Sequence, residues 1–447
     1  MSTPSSNTKP SPNLAIIGGG IAGLTLVIAL LKHAPALPVT LYESASAFGE
    51  IGAGVGFEPV MVRTMGLIDS RIVDAYVKCS RGNAPTDPPI WMRMRVGDQR
   101  WLMSGRGDGI GLDRLEKENI GLDEEVFNIP SRGKGPRGGV HRARFLEELV
   151  KLIPAGIAQF RKRLVDITEA ADGSGNAVLH FADGTTATHS AVLGCDGIKS
   201  KSRSAVLGDP DATAAVFSGK YAYRGLIPMT KAVEIMGPIV PKSAQMYLGY
   251  HGHLLTFPIA NGTIMNVVAF SSRSEWVEKD WVVKTPREEM LDDFKHWGAT
   301  VQSIMEHLQK PDIWALFDHP PASTYYRTNP LICLAGDAAH ASTPHQGAGA
   351  GMCIEDAYIL SQLLSKCQSK GDISRAFAAY DLVRRPRSQK LVKTSREAGM
   401  LWEFEGENVG DDLRALQQNA QQRMAWIWDY DISEDLERAT RAMAGSA

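Results

Sequence analysis

Three glycines and one acidic residue near the start of the sequence have the spacing of a phosphate-binding turn. Gly18, Gly20 and Gly23 form a G-x-G-x-x-G run, and Glu43 follows about 20 residues later. The first glycine allows a tight turn, the second lets the backbone approach a pyrophosphate, and the third lets a helix lie close to a sheet. A carboxylate at Glu43 can accept hydrogen bonds from both hydroxyls of an adenosine ribose. These residues predict dinucleotide binding and do not separate NAD from FAD.

The segments around these residues must form the elements that position them. Residues 13–17 are an apolar run, residues 21–32 have apolar side chains at helical spacing, and residues 39–43 have the composition of a second strand. In the order strand, turn, helix and strand, the unpaired N–H groups and positive dipole end of the helix face the phosphates. The agreement of strands, helix and acid predicts a Rossmann-like α/β unit.

The composition bounds the class of protein. A length of 447 residues allows two domains or one large domain with insertions, and 44% hydrophobic with 22% charged residues is ordinary for a globular enzyme. The net charge of −2 gives no electrostatic reason to expect binding to nucleic acid or to an anionic membrane surface. No run reaches the ~18 apolar residues of a membrane span, and the Ser- and Pro-rich start lacks the apolar core of a signal peptide.

The five cysteines are scattered, without a CxxC pair or any spacing typical of a metal site. We therefore expect reduced and mostly buried thiols, no bound metal ion and a cytoplasmic location. The cysteines are Cys79, Cys195, Cys333, Cys353 and Cys367.

A second glycine-rich run covers residues 48–57 and includes Gly56. It is too irregular for a helix and too glycine-rich for a buried strand, so a loop is predicted. Such a loop either allows close approach to a flat ligand or is a plain turn, and the residues alone favour neither. Residues 81–139 are rich in Gly, Pro, Arg and Asp, which predicts a loop-rich segment with a strand at about 91–96.

The sequence changes character between residues 211 and 327. Short alternating runs there predict an antiparallel sheet that forms a separate layer. An apolar strand at 331–335 then returns to the first unit, and residues 396–447 have helical patterns. The predicted strands of the middle layer are Ala222–Pro228, Gln245–Leu248, His253–Phe257 and Met265–Phe270.

Three motifs occur in a fixed order along the chain. The glycine run with Glu43 comes first, Asp196 follows within Cys-Asp-Gly, and Asp337 lies within Gly-Asp-Ala-Ala-His. Together these motifs resemble the single-component FAD-dependent aromatic hydroxylases, the family of p-hydroxybenzoate and salicylate hydroxylases. The resemblance covers about residues 13–395.

A narrower resemblance lies in three further stretches, which are similar to fungal flavoenzymes that hydroxylate and dearomatise polyketide phenols in azaphilone, tropolone and sorbicillinoid pathways. These stretches are 223–227, 335–351 and 426–430. The implied fold class is α/β, with a Rossmann-like FAD-binding domain of the p-hydroxybenzoate hydroxylase type, an inserted antiparallel-sheet substrate domain and a helical C-terminus. The expected segments are a disordered tail (1–12), the FAD-binding domain (13–80, 140–210 and 328–395), the loop-rich segment (81–139), the substrate-binding sheet (211–327) and the C-terminal helices (396–447).

The resemblance also implies residues that hold FAD. Arg142 would contact the pyrophosphate or the ribityl chain, and Asp337 would hydrogen-bond a ribityl hydroxyl. Gly349, Ala350 and Gly351 would start a helix whose N-terminus points at N1 and O2 of the isoalloxazine, where reduced flavin is negative. The residue types alone also allow Arg142 to be a surface cation and Asp337 to be a helix cap.

The sequence contains no second glycine fingerprint for a nicotinamide nucleotide. That matches the family, in which NAD(P)H binds transiently and has no domain of its own, and the fungal relatives favour NADPH. The motif around Asp196 contacts FAD and the nicotinamide cofactor in the family, whereas the residues alone also allow a simple polar turn.

Three residues are implied at the substrate. Arg224 corresponds to the arginine that dearomatising relatives use to hold a phenolate, although its type alone also allows a structural salt bridge. Phe257 lies where some relatives carry a tyrosine that helps to anchor the substrate, and Pro344 would shape the loop beside the isoalloxazine. Further possible contacts, each more often an ordinary structural residue, are Tyr223, Tyr247, His253, His340 and His345.

The chemistry in this family resides in the cofactor. The resemblance implies a monomeric or homodimeric monooxygenase that uses NAD(P)H and O2 to hydroxylate a small phenolic polyketide, with loss of aromaticity, through a flavin C4a-hydroperoxide. Three alternatives stay open: a salicylate-type hydroxylase that removes a carboxylate, an FAD epoxidase acting on an alkene, and a non-catalytic flavin-binding protein. The epoxidase is disfavoured, because such enzymes usually carry a membrane-associating C-terminus that this sequence does not show.

Overall fold

The computed structural model describes most of the chain. The predicted tail, residues 1–12, lies outside the described residues except for residues 11 and 12. Parts of the second glycine-rich run and of the loop-rich segment also lie outside them. The described residues are 11–48, 54–83, 89–104, 121–310 and 312–445.

Strands and helices alternate in the first and last parts of the chain, and strands dominate the middle. The strands are β1 (Leu14–Ile17), β2 (Val39–Tyr42), β3 (Gly54–Phe57), β4 (Ile90–Val96), β5 (Glu125–Pro130), β6 (Gly138–His141), β7 (Ala158–Gln159), β8 (Leu164–Glu169), β9 (Ala177–Phe181), β10 (Thr186–His189), β11 (Ala191–Gly194), β12 (Val216–Pro228), β13 (Gln245–Gly249), β14 (Gly252–Ile259), β15 (Ile264–Ser272), β16 (Val282–Lys284), β17 (Asp312–Asp318), β18 (Tyr326–Thr328) and β19 (Leu331–Leu334). The α-helices are α1 (Ile21–His33), α2 (Pro59–Ile68), α3 (Ser70–Ser80), α4 (Gln99–Met103), α5 (Arg142–Val150), α6 (Lys201–Leu207), α7 (Pro210–Thr213), α8 (Met229–Met236), α9 (Arg287–Asp293), α10 (Ala299–Glu306), α11 (Asp337–His340), α12 (Gly349–Leu364), α13 (Lys370–Trp402), α14 (Leu413–Arg423), α15 (Ala425–Trp428) and α16 (Ile432–Met443). The 3-10 helices are Val240–Lys242 and Pro344–Gln346.

A six-stranded sheet, in the order β18-β19-β11-β1-β2-β7, forms the centre of the first unit. β1 pairs in parallel with both β2 and β11, so that Ile17 is level with Tyr42 and Gly194. β1, β11 and β19 are fully buried, as parallel strands covered on both faces must be. Helices such as α1 and α12 pack on one face, and the antiparallel strands β8 and β9 cover the other. This arrangement confirms the predicted Rossmann-like unit.

The second large sheet has the order β16-β17-β12-β15-β14-β13-β4-β5, and only β13 and β4 pair in parallel within it. On one face, called here the back face, Tyr223, Val267 and Ile313 pack with Ile304 of α10. The opposite face, called the front face, carries Arg224. The predicted antiparallel sheet is thus present, and the segment predicted as loop-rich supplies β4 and β5 to its edge.

β3 and β6 form a separate two-stranded ribbon in which Gly56 is opposite Gly139. The loop predicted for residues 48–57 is therefore wrong over Gly54–Phe57, which is a strand, while residues 49–53 lie outside the described residues. The Phe257 ring explains why glycines form this strand. A Cβ at Gly54 would lie 2.5 Å from that ring and one at Gly139 would lie 2.6 Å from it, so only glycines leave room for the aromatic side chain.

Helices α13 to α16 complete the structure. Arg387 on α13 pairs with Glu355 of α12 at 2.8 Å, and its guanidinium lies 3.3 Å from the centroid of the Tyr430 ring. The stretch 426–430 is thereby tied to α12. Within the described residues, no helix is both long enough and apolar enough to cross a bilayer.

Candidate active site

The turn between β1 and α1 has the conformation that its glycines predict. Gly18 has a φ of +98°, and a Cβ there would lie 2.4 Å from the carbonyl oxygen of Cys195. A Cβ at Gly23 would lie 1.9 Å from the carbonyl oxygen of Gly18. Among the described residues, a Cβ at Gly20 would meet only the Arg142 guanidinium, at 4.0 Å. Gly18 and Gly23 are therefore required by the fold, whereas the backbone at Gly20 stays accessible.

Glu43 directly follows β2 and turns back toward this turn. Its Oε2 accepts a hydrogen bond from the N–H of Gly19 at 2.7 Å, and its Oε1 accepts one from the N–H of Ala45 at 2.7 Å. These contacts fix the orientation of the carboxylate. Oε1 also accepts a hydrogen bond from the Ser44 hydroxyl at 3.1 Å, whereas Oε2 keeps a second acceptor position and can still accept a hydrogen bond from a ligand.

The two long helices that begin at the candidate site have no side-chain cap. They are α1, which follows Gly20, and α12, whose first turn contains Gly349, Ala350 and Gly351. By contrast, α6 and α13 are each capped by a serine side chain. The first N–H groups of α1 and α12 can therefore bind an anion. A Cβ at Gly351 would lie 2.6 Å from Met61 Sδ, which shows how closely α12 packs on α2.

Asp337 is the first residue of α11, and its side chain is exposed. The preceding Gly336 has a φ of +60°, and a Cβ there would lie 2.7 Å from Ala22 Cβ and 3.2 Å from Cys353 Sγ. Ala22 belongs to the first turn of α1 and Cys353 to the second turn of α12. The packing of Gly336 thus places the Asp337 carboxylate beside the N-terminal ends of both helices.

A buried carboxylate on α12 fixes this turn. Asp356 Oδ2 accepts a hydrogen bond from the N–H of Gly336 at 2.9 Å and lies 2.6 Å from His340 Nε2, while its Oδ1 accepts one from Arg384 Nε at 2.9 Å. Burial would raise the pKa of Asp356, but His340 and Arg384 outweigh burial and hold that pKa below its usual range. Sequence reasoning missed Asp356. The available signal was a pair of adjacent acids, Glu355 and Asp356, within an apolar helix.

Arg142, the first residue of α5, connects the two halves of the site. Its Nη2 is the group nearest to a Cβ at Gly20, and its charge also acts on Arg224 of β12. Burial, together with the charge of Arg142, lowers the pKa of Arg224 to about 10, which leaves Arg224 a cation at neutral pH. One guanidinium group, that of Arg142, thus lies near the glycine turn, and a second, that of Arg224, lies on the front face. Both would attract a negatively charged ligand.

Arg224 lies in the middle of β12. Its guanidinium carbon is 4.7 Å from the centroid of the Trp314 ring on β17. Its Nε is buried without a hydrogen-bond partner, and no carboxylate of the described residues forms an ion pair with it. The structural salt bridge that the sequence left open for Arg224 is therefore not formed among the described residues. Trp314 was missed from the sequence, because only the pairing of β12 with β17 brings it beneath Arg224.

The strand registers define what surrounds Arg224 on the front face. Residues directly opposite each other on adjacent strands have side chains on the same face, and residues two apart along a strand also share a face. The row through Arg224 consists of Arg224, Val268, Leu255 and Met246, and the next row consists of Leu226, Asn266 and Phe257. The surroundings of the guanidinium are thus largely apolar, which strengthens its attraction for an anion.

Pro344 begins a 3-10 helix that lies against the front face. Its neighbour His345 contacts Phe270 and His253, with ring centroids 5.0 Å and 5.3 Å apart. Phe270 and His253 are opposite each other in the row on one side of Arg224. Phe257 lies in the row on the other side of Arg224. The two residues predicted near the substrate, Pro344 and Phe257, thus flank Arg224 from opposite directions.

His253 and His345 belong to a buried cluster with Glu403 and Lys220. His253 Nδ1 lies 3.0 Å from Glu403 Oε1, and Lys220 Nζ pairs with the other oxygen of Glu403. Ligand atoms of the two histidines and Glu403 lie within 4.8 Å of one another, but the Lys220 ammonium already neutralises the carboxylate and would repel a metal ion. Burial, with a contribution from His253, lowers the pKa of His345 to about 3. A cavity of about 450 Å³ opens beside this cluster, and Arg224 does not line it.

Asp196 lies beside the glycine turn, with its Cα 3.1 Å from the position of a Gly18 Cβ. Its carboxylate points toward α6, where Oδ2 accepts hydrogen bonds from the N–H groups of Lys201 and Ser202 at 2.8 Å and 3.0 Å. The polar turn that the residues allowed is therefore formed.

The two tyrosines proposed as possible substrate contacts do not face the site. Tyr223 donates a hydrogen bond to Asp293 at 2.8 Å on the back face, because successive residues of a strand point to opposite faces and Arg224 takes the front. Tyr247 is buried in the same back-face core. Tyr223 and Tyr247 are therefore ordinary structural residues of the sheet, which was the commoner of the two alternatives that the sequence left open for them.

The residues at this site fit FAD. The open backbone at Gly20 and the uncapped start of α1 suit a pyrophosphate, Glu43 suits a ribose, and Asp337 with the start of α12 suits the ribityl chain and the ring. No described atom lies within 4 Å of a Cβ position at Gly56, so a planar ring system has space above the ribbon.

Known proteins are similar to this chain over nearly its whole length. The family described as FAD binding domain matches residues 144–395. The chain is 41% identical over 446 residues to FAD-dependent monooxygenase orf3 of Aspergillus niger, which covers 94% of each protein. It is 38% identical to 6-methylsalicylate 1-monooxygenase atA of Aspergillus terreus, with 97% of this chain and 92% of that protein covered. A solved structure of a salicylate hydroxylase substrate complex superposes with a TM-score of 0.80 at 32% identity, over 97% of this chain and 98% of that one.

Proposed function

Because the chain belongs to the FAD-dependent aromatic monooxygenases of the salicylate hydroxylase type, we propose that it hydroxylates a phenolic polyketide with loss of aromaticity. NAD(P)H and a proton would together supply two electrons and two protons. One atom of O2 would be added to a ring carbon as a hydroxyl group, and the other would leave as water. Bound FAD supplies the activation and transfer of oxygen. Binding, orientation, charge and exclusion of water fall to the protein. The similarity of residues 223–227 and 426–430 to fungal dearomatising flavoenzymes supports a polyketide phenol.

The observation that carries this proposal is the environment of Arg224. A buried guanidinium with an unpartnered Nε, a ring of Trp314 beneath it and apolar neighbours is costly to maintain without a ligand. A phenolate oxygen would satisfy it. A phenolate is also far more electron-rich than a phenol, and Arg224 would hold that form of the substrate throughout turnover.

The cofactor would be held by residues of the first unit and of the two-stranded ribbon. Gly18, Gly20 and Gly23 would carry the pyrophosphate, with Glu43 at the ribose and Arg142 at the pyrophosphate or the ribityl chain. Asp337 is proposed to bind a ribityl hydroxyl, and Gly56 is proposed to lie beneath the ring plane. The negative edge of the ring would face Gly349, Ala350 and Gly351.

The protein would also exclude water and direct the substrate. Phe257 covers the ribbon on one side of Arg224, and Pro344 starts the 3-10 helix on the other. Between them, a phenol held at Arg224 would have restricted freedom, so that one ring carbon is presented to the cofactor. Asp196, whose carboxylate is engaged by α6, is proposed to shape the turn beside the cofactor.

A salicylate-type reaction, in which the hydroxyl replaces a carboxylate that leaves as CO2, is the second candidate. It is supported by the similarity to 6-methylsalicylate 1-monooxygenase atA and to the salicylate hydroxylase structure. Arg142 and Arg224 together offer the charge that a substrate with both phenolate and carboxylate would require.

The test is oxidation of NADPH and NADH by the purified yellow protein in the presence of resorcinol-type polyketide phenols and of salicylates. The proposed reaction requires substrate-stimulated oxidation and a product 16 mass units heavier, as one oxygen atom is added. A decarboxylated catechol would favour the second candidate. Bound, acid-releasable FAD without stimulation by any phenol would identify a flavin-binding protein and contradict both reactions.

A further inference from the structure

Asn266, on β15, is a buried amide whose nitrogen makes no hydrogen bond among the described residues. It is 3% exposed, its Oδ1 accepts a hydrogen bond from the N–H of Gly54 at 3.3 Å, and its Nδ2 has no partner. Buried side-chain donors are usually paired in folded proteins. An unpaired amide donor within the candidate site therefore points to a ligand atom.

The position of Asn266 relates it directly to Arg224. Asn266 is opposite Leu226 on β12, and Arg224 is opposite Val268, two residues further along β15. The two side chains thus share the front face as diagonal neighbours, which lie about 7 Å apart in antiparallel pairs. Arg224 Nε is likewise buried and unpartnered. One cationic and one neutral donor consequently face the same volume.

Phe257 explains why a second donor is needed here. It is opposite Asn266 on β14, and its ring packs on Gly54 and Gly139 of the ribbon. Phenylalanine offers no hydrogen bond, so this position can only exclude water. The amide next to it provides the polar contact in that row.

We propose that Asn266 Nδ2 donates a hydrogen bond to a neutral carbonyl oxygen of the substrate while Arg224 holds the phenolate oxygen. The inference rests on the proposed function and narrows it to phenols that carry an acyl group close to the hydroxyl. A neutral amide is matched to a neutral acceptor, whereas a carboxylate in this place would be better held by a second charged donor. Asn266 is thus a residue that determines specificity among phenols.

Two variants separate this role from the support that Asn266 gives to Gly54. Asn266→Asp keeps an oxygen for the Gly54 N–H and removes the amide donor, and Asn266→Leu removes both. Thr256→Val is the matched control, because Thr256 Oγ1 is also buried and unpartnered but belongs to the opposite face of the sheet.

The experiment compares the three variants with wild-type holoenzyme on an ortho-acyl phenol and on the same phenol without the acyl group, by KM in NADPH oxidation and by calorimetric Kd. We expect Asn266→Leu to raise both constants about 10-fold for the acyl phenol only, with normal FAD content. The added negative charge of Asn266→Asp, beside Arg224, should raise both constants for the two phenols, and more for the acyl phenol. Lower pH should return Asn266→Asp toward wild-type KM, since a protonated carboxyl group regains a donor. Thr256→Val should leave both constants unchanged.

Equal effects on the two phenols, or a loss of FAD without a change in phenol Kd, would overturn the assignment of Asn266. Lack of any phenol-stimulated oxidation of NADPH or NADH by the wild-type protein would instead overturn the proposed function, and with it this inference. The wild-type assay therefore separates the two failures before the variants are compared.

Discussion

The Asp356 carboxylate and the His340 ring lie 2.6 Å apart, and neither side chain is exposed. The same Asp356 oxygen accepts a hydrogen bond from the N–H of Gly336. One residue of α12 thus holds both ends of the turn that carries Asp337. The start of α12 and the Asp337 carboxylate, both proposed to contact the flavin, are thereby kept in a fixed relation.

Replacing Asp356 by Asn should destabilise the fold and reduce FAD occupancy. The variant leaves the buried Arg384 guanidinium with less opposing charge, which costs about 3 kcal/mol or more in unfolding free energy. Thermal or denaturant unfolding with and without FAD measures both effects. Glu397→Gln, a partly exposed carboxylate on α13, is the control and should change stability by no more than about 0.5 kcal/mol. Equal stability of the Asp356→Asn variant and this control would contradict the anchoring role.

Asp337→Ala should retain the fold and lose FAD. The carboxylate is exposed and lies at the start of α11, so its removal leaves no buried gap. Loss of a charged hydrogen-bond acceptor is expected to weaken FAD binding about 10-fold or more. Flavin absorbance per protein and circular dichroism are the two measurements. Normal flavin content in the variant would remove Asp337 from the proposed cofactor site.

Gly23→Ala and Gly56→Ala should have opposite consequences. A Cβ at Gly23 would lie 1.9 Å from a backbone oxygen, which cannot move aside, so this variant should not fold stably. A Cβ at Gly56 meets no described atom within 4 Å, so this variant should fold normally and bind FAD more weakly, because the methyl group occupies space proposed for the ring. Solubility, melting temperature and FAD titration distinguish the two. Unchanged FAD affinity of Gly56→Ala would show that the ring lies elsewhere.

Arg224→Ala should keep FAD and lose about 100-fold or more in hydroxylation, the range observed when a preorganised charge-stabilising donor is removed. Arg224→Lys should recover only part of the rate, because a point charge lacks the planar donor fork. NADPH oxidation can persist with release of H2O2, so product and peroxide should be measured together. Arg327→Ala, an exposed arginine of β18, is the control. Wild-type product yield from Arg224→Ala would exclude Arg224 from the substrate site.

Stability should fall as pH rises through the range in which Glu58 titrates. Burial raises the pKa of Glu58 to about 7 from 4.5, against the opposing effects of Ser131 and Arg137. Between these values the folded state holds a proton that the unfolded state has lost, so raising the pH favours unfolding. Glu58→Gln removes this titrating carboxyl group. Above pH 7 the free energy of unfolding of the variant should exceed that of wild type by on the order of 2 kcal/mol, with little difference near pH 4.5. A difference independent of pH, measured by thermal unfolding, would contradict a buried neutral Glu58.

Local sterics made the first part of the site predictable. The demands on Gly18 and Gly23 arise from contacts within one turn or with the adjacent strand, and Glu43 ends the strand beside them. The same holds for the start of α12, since glycines there follow a buried strand and a short helix. In each case neighbouring residues along the chain determine the conformation, so spacing alone carries the information.

Contacts between residues far apart in the chain determined the rest of the candidate site. Alternation along β12 places Tyr223 and Arg224 on opposite faces, but the packing of α8, α9 and α10 against the back face determines which of them faces the candidate site. Strand register brings Trp314 and Asn266 to Arg224, and burial together with ion pairing makes Asp356 an anchor. The sequence by itself thus determined the nucleotide-binding turn, the two-layer architecture and the candidate cofactor. The tertiary structure decided which face of the sheet carries the proposed substrate site, because the strand register and burial that create this face depend on residues far apart in the chain.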